Sequence, residues 1–218
     1  MRQGTLISFE GMDKVGKSTQ VDRLIEHLRS RGIEPLAIRE PGSTEVSERI
    51  RAILADRNMT GKISPLTEFF LYSASRAQLV SEIIKPAMTR GDIIITDRYY
   101  DSSTAYQGYG RGLDLDFVQH VNSTASQGLV PDLTVLLVIE KSSISTTEGV
   151  KRFGPDLFDD RLEREFIDFR TKVQDGYLRI ADEEPERFLV IDSSQTIAQI
   201  AKTIASRADL LLQARDDG

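Results

Sequence analysis

The first forty residues constrain the fold more than any other part of the chain. "TLISFE", residues 5–10, is a short apolar run that stops at Gly11, and apolar residues then recur at helical spacing from Lys17 to Arg31. Gly32 predicts the end of that helix, and "EPLAIRE", Glu34 to Glu40, has the character of a second strand. A strand, a glycine-containing loop, a helix and a strand in this order predict a βαβ unit.

The rest of the chain continues the same alternation. Further apolar runs, of the type buried on both faces of a parallel sheet, occupy residues 91–98, 132–140 and 187–192. Helical periodicity covers residues 43–57, 65–89 and 195–213, and we expect Pro86 to bend or end the second of these helices. We therefore predict a single α/β domain over residues 1–218, a doubly wound, mostly parallel five-stranded sheet with helices on both faces and right-handed crossovers.

Composition disfavours several kinds of function. The chain has a formal net charge of -6, which argues against a basic surface for a nucleic-acid polymer. It has no cysteine and only two histidines, His27 and His120, so thiolate metal sites are excluded and a histidine cluster is improbable. No apolar run approaches the roughly 18 residues of a membrane span. Because the N-terminus enters a strand-like run instead of a signal peptide, we expect a cytoplasmic protein without membrane contact.

The loop after the first strand has the pattern of a phosphate-binding loop. "GMDKVGKS", Gly11 to Ser18, matches G-x-x-x-x-G-K-[ST] in the required strand-to-helix context. In such a loop backbone N–H groups converge on an anion, Lys17 reaches the β and γ phosphates of ATP, and Ser18 binds Mg²⁺. The predicted nucleotide-binding residues are Gly11, Met12, Asp13, Lys14, Val15, Gly16, Lys17, Ser18 and Thr19. A chance match on an ordinary glycine turn is the alternative, and the loop alone does not separate kinases from switch GTPases or transporters.

Two charged residues end the third strand, at the edge where open α/β sheets bind ligands. Asp97 stands where a carboxylate would orient Mg²⁺, directly or through water. Arg98 follows it and could bridge the γ phosphate of the donor and an anionic acceptor. A surface salt bridge that closes the strand is the alternative for Arg98.

Five motifs, taken in order, resemble those of thymidylate kinases (dTMP kinases). They are "FEGMDKVGKSTQ", "REPGST", "YSASR", "DRYYDSSTAYQGYGRG" and "DRLEREFIDFRTKVQDGY", and together they span nearly the whole chain. The resemblance implies a P-loop NTPase fold with a mobile lid. It also implies transfer of the γ phosphate of ATP to dTMP, giving dTDP, with Mg²⁺ as cofactor and a homodimer as the assembly.

The resemblance assigns the acceptor site residue by residue. Asp13 matches the loop carboxylate near the acceptor's sugar hydroxyl and the metal. Tyr72 lies four residues before Arg76, the spacing at which the family stacks an aromatic ring, usually phenylalanine, on thymine and hydrogen-bonds its O4 through arginine. From the residues alone, core packing of the ring and a helix-surface ion pair of the arginine are the alternatives.

The segment after the third strand supplies further acceptor positions. By resemblance, Arg98 contacts the acceptor phosphate, Ser103 contacts the base, and the ring of Tyr106 excludes a ribose 2′-hydroxyl. Gln107 and Arg111 complete that wall. Core packing is again the alternative for Tyr106.

The second strand ends in "REPGST", which lines the acceptor site in this family. Arg39 is expected to help hold the monophosphate, and a salt bridge with Glu40 is the alternative. Ser43 stands where the family usually has a second glycine.

Residues 141–161 match the family's lid. Its end motif "DRLE" nominates Arg161, with Lys151 and Arg152 as earlier lid cations. Lys14 places a further cation in the phosphate loop, and we expect it to help neutralise the transferring phosphoryl group; a spectator lysine is the alternative. The predicted catalytic residues are Lys17, Arg98, Asp13, Lys14 and Arg161.

The alternative functions are a kinase of another nucleoside monophosphate or of a deoxynucleoside, and a nucleotide-binding switch that is not a kinase. Deoxynucleoside kinases share the Glu-Pro dipeptide after the second strand and use the glutamate, here Glu40, to deprotonate a sugar hydroxyl. A nucleotide-binding switch without an acceptor would give no role to Tyr72, Arg76, Arg98 or Tyr106.

Overall fold

The computed structural model of the chain describes residues 4–140 and 167–216. Its strands are β1 (Thr5–Gly11), β2 (Leu36–Arg39), β3 (Ile93–Asp97), β4 (Leu133–Val138) and β5 (Phe188–Asp192). They form one five-stranded sheet in the order β2-β3-β1-β4-β5, and every pairing in it is parallel. The predicted α/β class and five-stranded sheet are confirmed.

The strand order reverses direction at β1, the central strand, and this places a crevice at its carboxyl end. Phe9 of β1 and Arg39 of β2 both lie in register with Asp97 of β3. The segments that follow these three strands therefore start side by side. The phosphate loop, "REPGST" and the segment after Asp97 are neighbours for this reason.

The helices match the predicted periodic segments and add others. The α-helices are α1 (Lys17–Ser30), α2 (Glu45–Ala55), α3 (Pro65–Leu79), α4 (Lys85–Arg90), α5 (Tyr100–Ser103), α6 (Leu115–Ala125), α7 (Ile167–Glu183) and α8 (Ile197–Asp216). A 3₁₀ turn covers Arg57–Met59, and π-helical segments cover Val80–Ile84 and Thr104–Gly110. Side chains of Thr44, Ser64 and Asp114 cap α2, α3 and α6 by accepting a backbone N–H of the first turn.

Pro86 does not end the helical segment that starts at Pro65. The segment passes from α3 through the π-helical Val80–Ile84 into α4 and continues to Arg90. A proline lacks the N–H of a regular helix and clashes with the carbonyl four residues earlier. The wider π-helical turn just before Pro86 is a known way to accommodate such an interruption.

Both faces of the sheet are covered, which explains the uninterrupted apolar strands. Ile7 and Phe9 face a core formed with α1, α7 and α8, whereas Leu6 and Ile94 face a core formed with α3 and the π-helical Val80–Ile84. Among the helices of residues 4–140 and 167–216, none combines the length and the hydropathy needed to cross a membrane.

Candidate active site

A cavity of about 580 Å³ lies at the carboxyl edge of the sheet. The phosphate loop, the ends of β2 and β3, α3 and the π-helical Thr104–Gly110 contribute to its wall. The predicted site residues that line it are Asp13, Lys14, Gly16, Lys17, Ser18, Thr19, Arg39, Tyr72, Arg76, Asp97, Arg98, Ser103, Tyr106 and Gln107. Met12 and Val15 are buried in the core instead, and Gly11 is the last residue of β1.

The phosphate loop holds its lysine in a buried position. Gly16 has a left-handed φ of 102° as it enters α1, a conformation that glycine adopts without strain. The Lys17 ammonium donates to the carbonyls of Gly11 (3.1 Å) and Met12 (2.8 Å). Burial and the charge of Arg98 lower the pKa of Lys17, Asp13 opposes them, and the resulting pKa is about 8. A phosphate anion would favour the charged form further and give the lysine a stronger partner.

The two predicted metal ligands are in direct contact. The Ser18 hydroxyl donates to the Asp97 carboxylate at 3.1 Å. Within the described ranges there is no group of three or more His, Cys, Asp or Glu side chains placed to bind a metal. One hydroxyl and one carboxylate at a phosphate loop fit Mg²⁺, which takes few protein ligands and completes its shell with water and phosphate oxygens.

Arg98 lies between the phosphate loop and the π-helical Thr104–Gly110. Its guanidinium donates to the carbonyl of Gly11 at 3.0 Å, forms an ion pair with Asp13, and lies 5.3 Å from the centre of the Tyr106 ring. The side chain is only 17% exposed, so the ion pair belongs to the cavity and not to the outer surface. The backbone of Arg98 has a positive φ of 72°, a conformation uncommon for residues other than glycine and frequent at functional sites.

Asp13 stays ionised beside these cations. Burial alone would raise its pKa, but the charges of Arg98 and Lys17 outweigh burial and lower the pKa to about 2. The Tyr106 hydroxyl also lies 3.4 Å from the Asp13 carboxylate. Asp13 therefore orients Arg98 and contacts the aromatic wall of the cavity.

Arg76 is almost completely buried at another part of the cavity wall. It forms an ion pair with Glu40 at 2.6 Å and donates to Asn122 and to the Ser103 hydroxyl, both at 2.8 Å. The alternative of a helix-surface ion pair is therefore wrong. The Ser103 hydroxyl therefore helps to hold Arg76 in the cavity wall.

Glu40 carries a pKa shift that can be measured. Burial raises its pKa to about 7, although Arg76 opposes the shift. The folded protein therefore keeps this proton up to about pH 7, whereas the unfolded chain loses it near the ordinary value of 4.5. This contribution makes the free energy of unfolding fall as pH rises between those two values.

Replacement of Glu40 by glutamine removes that titration. We expect the free energy of unfolding of Glu40→Gln, minus that of the wild type, to increase between about pH 5 and 7 by up to ~1.4 kcal/mol per pH unit. The amide also changes the contact with Arg76, which adds an offset that does not depend on pH. Urea unfolding at several pH values measures the difference, and a difference independent of pH would contradict the shift.

The π-helical Thr104–Gly110 contributes an aromatic and an amide side chain to the cavity wall. Gln107 donates to Glu68 at 2.9 Å, and Arg111 lies 3.4 Å from the same carboxylate. Tyr106 is 7% exposed and belongs both to the cavity wall and to the core. Tyr72 is partly buried in the cavity wall.

Arg39 lines the cavity but has a different ion-pair partner from the one expected. Its guanidinium donates to both carboxylate oxygens of Glu48 at 3.0 Å, and the Ser43 N–H donates to the same Glu48. The alternative pairing with Glu40 is wrong because Glu40 is buried against Arg76. The Arg39 side chain remains 56% exposed.

Lys14 lines the cavity in a left-handed conformation, with φ of 66°. Such a conformation costs a non-glycine residue about 1–2 kcal/mol. We therefore expect Lys14→Gly to raise the free energy of unfolding by about 1 kcal/mol. If Lys14 neutralises phosphoryl charge, the same change lowers kcat about tenfold.

A matched variant separates these two effects. Lys14→Gln keeps the backbone strain and removes the charge, so it should lose kcat to the same extent without a gain in stability. Steady-state kinetics and urea unfolding on both variants measure this. Wild-type turnover in both would make Lys14 a spectator.

Two residues of the site were not predicted from the sequence. Asn122 contacts Arg76, and Glu10 accepts hydrogen bonds beside Arg98, but neither was predicted as a site residue. A glutamate inside the otherwise apolar β1 was the available signal for Glu10, because buried carboxylates are rare. The predicted lid and its cations Lys151, Arg152 and Arg161 lie outside the described residues.

Comparison with known proteins gives a consistent result. The sequence model described as thymidylate kinase matches residues 9–204. The thymidylate kinase of Caldanaerobacter subterraneus subsp. tengcongensis is 45% identical over 212 residues, covering 97% of this chain and 98% of the relative. That of Chlorobaculum tepidum is 44% identical over 210 residues, covering 94% and 97%.

A solved structure agrees with the sequence relatives. The crystal structure of thymidylate kinase from Ehrlichia chaffeensis superposes with a TM-score of 0.73 at 27% identity. The match covers 95% of this chain and 99% of that one.

Proposed function

This chain belongs to the thymidylate kinase family, and we propose on that premise that it transfers the γ-phosphoryl group of ATP to dTMP, giving dTDP and ADP, with Mg²⁺ as cofactor. The observation that carries the proposal is that one cavity holds both parts of the site. It contains both the phosphate loop with Lys17 and a buried arginine, Arg76, with an aromatic residue, Tyr72, one helical turn away. Arg98, directly after β3, contacts the phosphate loop.

The donor side of the cavity binds the phosphates of ATP. Lys17 and the backbone N–H groups at the start of α1 are the anion-binding groups. Ser18 and Asp97 would hold Mg²⁺, which when bound neutralises phosphate charge.

Arg98 stabilises the charge on the group in transfer. Catalysis of phosphoryl transfer depends mainly on positioning and on fixed positive charge, because the protein supplies little covalent chemistry. A guanidinium held by Asp13 and the Gly11 carbonyl is such a fixed charge, and its partial exposure leaves it accessible to substrate. The acceptor phosphate is already ionised and needs no general base, consistent with Glu40 being engaged by Arg76.

The acceptor base and sugar are assigned to the other end of the cavity. We propose that Arg76 hydrogen-bonds O4 of thymine, that Tyr72 stacks on the ring, and that Tyr106 excludes a 2′-hydroxyl. Ser103 supports the orientation of Arg76. Gln107 extends this wall, and Arg39 is available to the monophosphate from the end of β2.

A coupled assay of ADP release tests the function directly. Purified protein with ATP and Mg²⁺ is given dTMP, dUMP, thymidine, dGMP or no acceptor. We expect the highest kcat/KM with dTMP and little release without an acceptor. ADP release that does not depend on the acceptor, or that is highest with thymidine, would contradict the proposal.

We further propose a homodimer formed through an apolar surface on α2, α3 and α6. The large apolar side chains exposed there are Val46, Ile53, Leu66, Phe70 and Phe117. The rings of Phe70 and Phe117 lie 6.2 Å apart in an edge-to-face arrangement, and both contact the buried Phe69. Apolar patches with aromatic anchors are typical of protein interfaces.

Replacement of a central aromatic residue tests the dimer. We expect Phe70→Asp to convert a dimer into a monomer, because a carboxylate buried in an apolar interface has no partner. Light scattering after size-exclusion chromatography measures the mass. Leu210→Asp, at a position 60% exposed on α8, is the control that should remain dimeric. A monomeric wild type, or a dimeric Phe70→Asp, would contradict the proposed surface.

A single kinase domain over residues 1–218, with a lid near 141–161 that supplies Arg161, is also part of the proposal. It is supported by the family match over residues 9–204.

A further inference from the structure

Glu10 is a fully buried carboxylate at the end of β1, immediately before the phosphate loop. One of its oxygens accepts the backbone N–H of Tyr99 at 2.7 Å. The other accepts two hydroxyls, those of Ser102 at 2.6 Å and Tyr177 at 2.9 Å. All three of these groups donate to Glu10, as expected for an ionised carboxylate.

The same two hydroxyls also contact Arg98. Its guanidinium donates to the Ser102 hydroxyl at 3.0 Å and to the Tyr177 hydroxyl at 3.2 Å. Each hydroxyl therefore accepts from the arginine and donates to the glutamate, and the two lie 2.8 Å apart. The charges of Arg98 and Glu10 are linked through a pair of oriented hydroxyl groups, which we call the hydroxyl bridge.

Tyr177 is held firmly enough to fix its hydroxyl. It is 1% exposed, and its ring packs edge-on against the Tyr106 ring at 6.3 Å. One turn earlier on α7, the Gln174 amide makes two hydrogen bonds to the backbone of Ile139, at 2.8 and 3.1 Å, and so ties α7 to the end of β4. Gly176 lets α7 approach closely, because a Cβ atom there would lie 2.6 Å from the Tyr109 ring.

We propose that Glu10 and Tyr177, acting through the hydroxyl bridge, are positioning residues that hold the Arg98 guanidinium in its catalytic orientation. The inference rests on the proposed function, because it assigns a role in that reaction. Burial of a carboxylate is costly, and an apolar residue would pack in the core without that penalty. The partners of Glu10 account for its presence, since two of them connect it to the arginine that contacts the phosphate loop.

Both ends of the bridge have shifted pKa values. Burial and the charge of Asp101 raise the pKa of Glu10 while Arg98 opposes the shift, and the resulting pKa of about 7 means that the carboxylate is mainly ionised above that pH. Burial also raises the pKa of Tyr177 well above its usual value, so its hydroxyl keeps the proton that it donates. Loss of either end of the bridge leaves Arg98 with fewer constraints on its orientation.

Tyr177→Phe tests the inference with the smallest change, because it removes one hydroxyl and keeps the ring. We expect kcat with dTMP to fall about tenfold while KM for ATP stays near the wild-type value. Tyr109→Phe is the matched control, since it removes a tyrosine hydroxyl at the same interface outside the bridge, and it should keep wild-type kcat.

A double-mutant cycle distinguishes positioning from a general structural role. Glu10→Gln should lower kcat to a similar extent, and adding Tyr177→Phe to it should have little further effect, because the bridge is already interrupted. If Glu10→Gln does not fold, Ser102→Ala takes its place in the cycle. Fully additive losses, or a fall in folded protein with unchanged kcat, would overturn the inference.

The outcomes also separate this inference from the proposed function. Wild-type protein that does not phosphorylate dTMP would overturn both. Wild-type protein that is active, with a Tyr177→Phe variant of equal kcat, would overturn only the role of the hydroxyl bridge.

Discussion

Replacement of Arg98 by alanine should lower kcat for dTMP phosphorylation about a thousandfold, the range found when a charge-stabilising arginine is removed from a phosphoryl-transfer site. KM for ATP should change much less, because we propose that Lys17 and the loop N–H groups bind the donor. The kcat of Arg98→Lys should lie between those of Arg98→Ala and the wild type. An ammonium keeps the charge. It lacks the planar guanidinium with which arginine contacts Asp13, the Gly11 carbonyl and the two hydroxyls at once.

Steady-state kinetics with dTMP varied at saturating ATP measure this prediction. Arg90→Ala is the control, because Arg90 pairs with Asp92 on the surface and is 60% exposed. An Arg98→Ala enzyme with most of the wild-type kcat would show that the transferred group is stabilised elsewhere.

Replacement of Lys17 by methionine should reduce kcat/KM for ATP by about a hundredfold or more, since it removes the loop cation that we propose contacts the donor phosphates. Lys17→Arg should not restore kcat/KM for ATP. The Lys17 ammonium occupies a buried position between two carbonyls, at 2.8 and 3.1 Å, where a larger planar group would have to displace the loop. Nucleotide binding should weaken together with turnover, unlike the pattern expected for Arg98.

Isothermal titration with ATP and Mg²⁺, combined with kinetics, separates the two steps. Lys85→Met, at an exposed position on α4, should bind and turn over ATP like the wild type. Unchanged ATP affinity and turnover in Lys17→Met would contradict the assignment of this loop as the donor site.

The strands were predictable because each contains a short apolar run, and the three central strands, β3, β1 and β4, are largely buried on both faces. Strand β4, for example, was expected within residues 132–140 and is found at Leu133–Val138. The position of the phosphate loop followed from the same reasoning. The register of the strands did not, because it depends on pairing between segments far apart in the chain.

Helix α7 shows why other elements were missed. Its sequence contains Gly176 in the middle of the helix, where glycine disfavours helix by about 1 kcal/mol relative to alanine. Its packing against Tyr109 requires that glycine, and this requirement appears only in the tertiary structure. The π-helical Thr104–Gly110 carries Tyr106 and Gln107 into the cavity wall, and no pattern in the sequence indicated it.

The hydrogen-bond and ion-pair partners of the site arginines could not be predicted from the sequence either. Arg76 was expected at the base, but its contact with Asn122 joins residues 46 positions apart. The contact between Glu10 and Tyr177 spans 167 positions. Arg39 lines the cavity, but its alternative pairing with Glu40 was wrong, because Glu40 contacts Arg76 and Arg39 contacts Glu48.

The most direct test of the central claim follows the phosphoryl group itself. Wild-type protein is mixed with [γ-³²P]ATP, Mg²⁺ and either dTMP or thymidine, and the labelled products are separated by chromatography. We expect label in dTDP with dTMP as acceptor, and little label in inorganic phosphate. Label that appears mainly in inorganic phosphate with either acceptor, or in dTMP formed from thymidine, would contradict it.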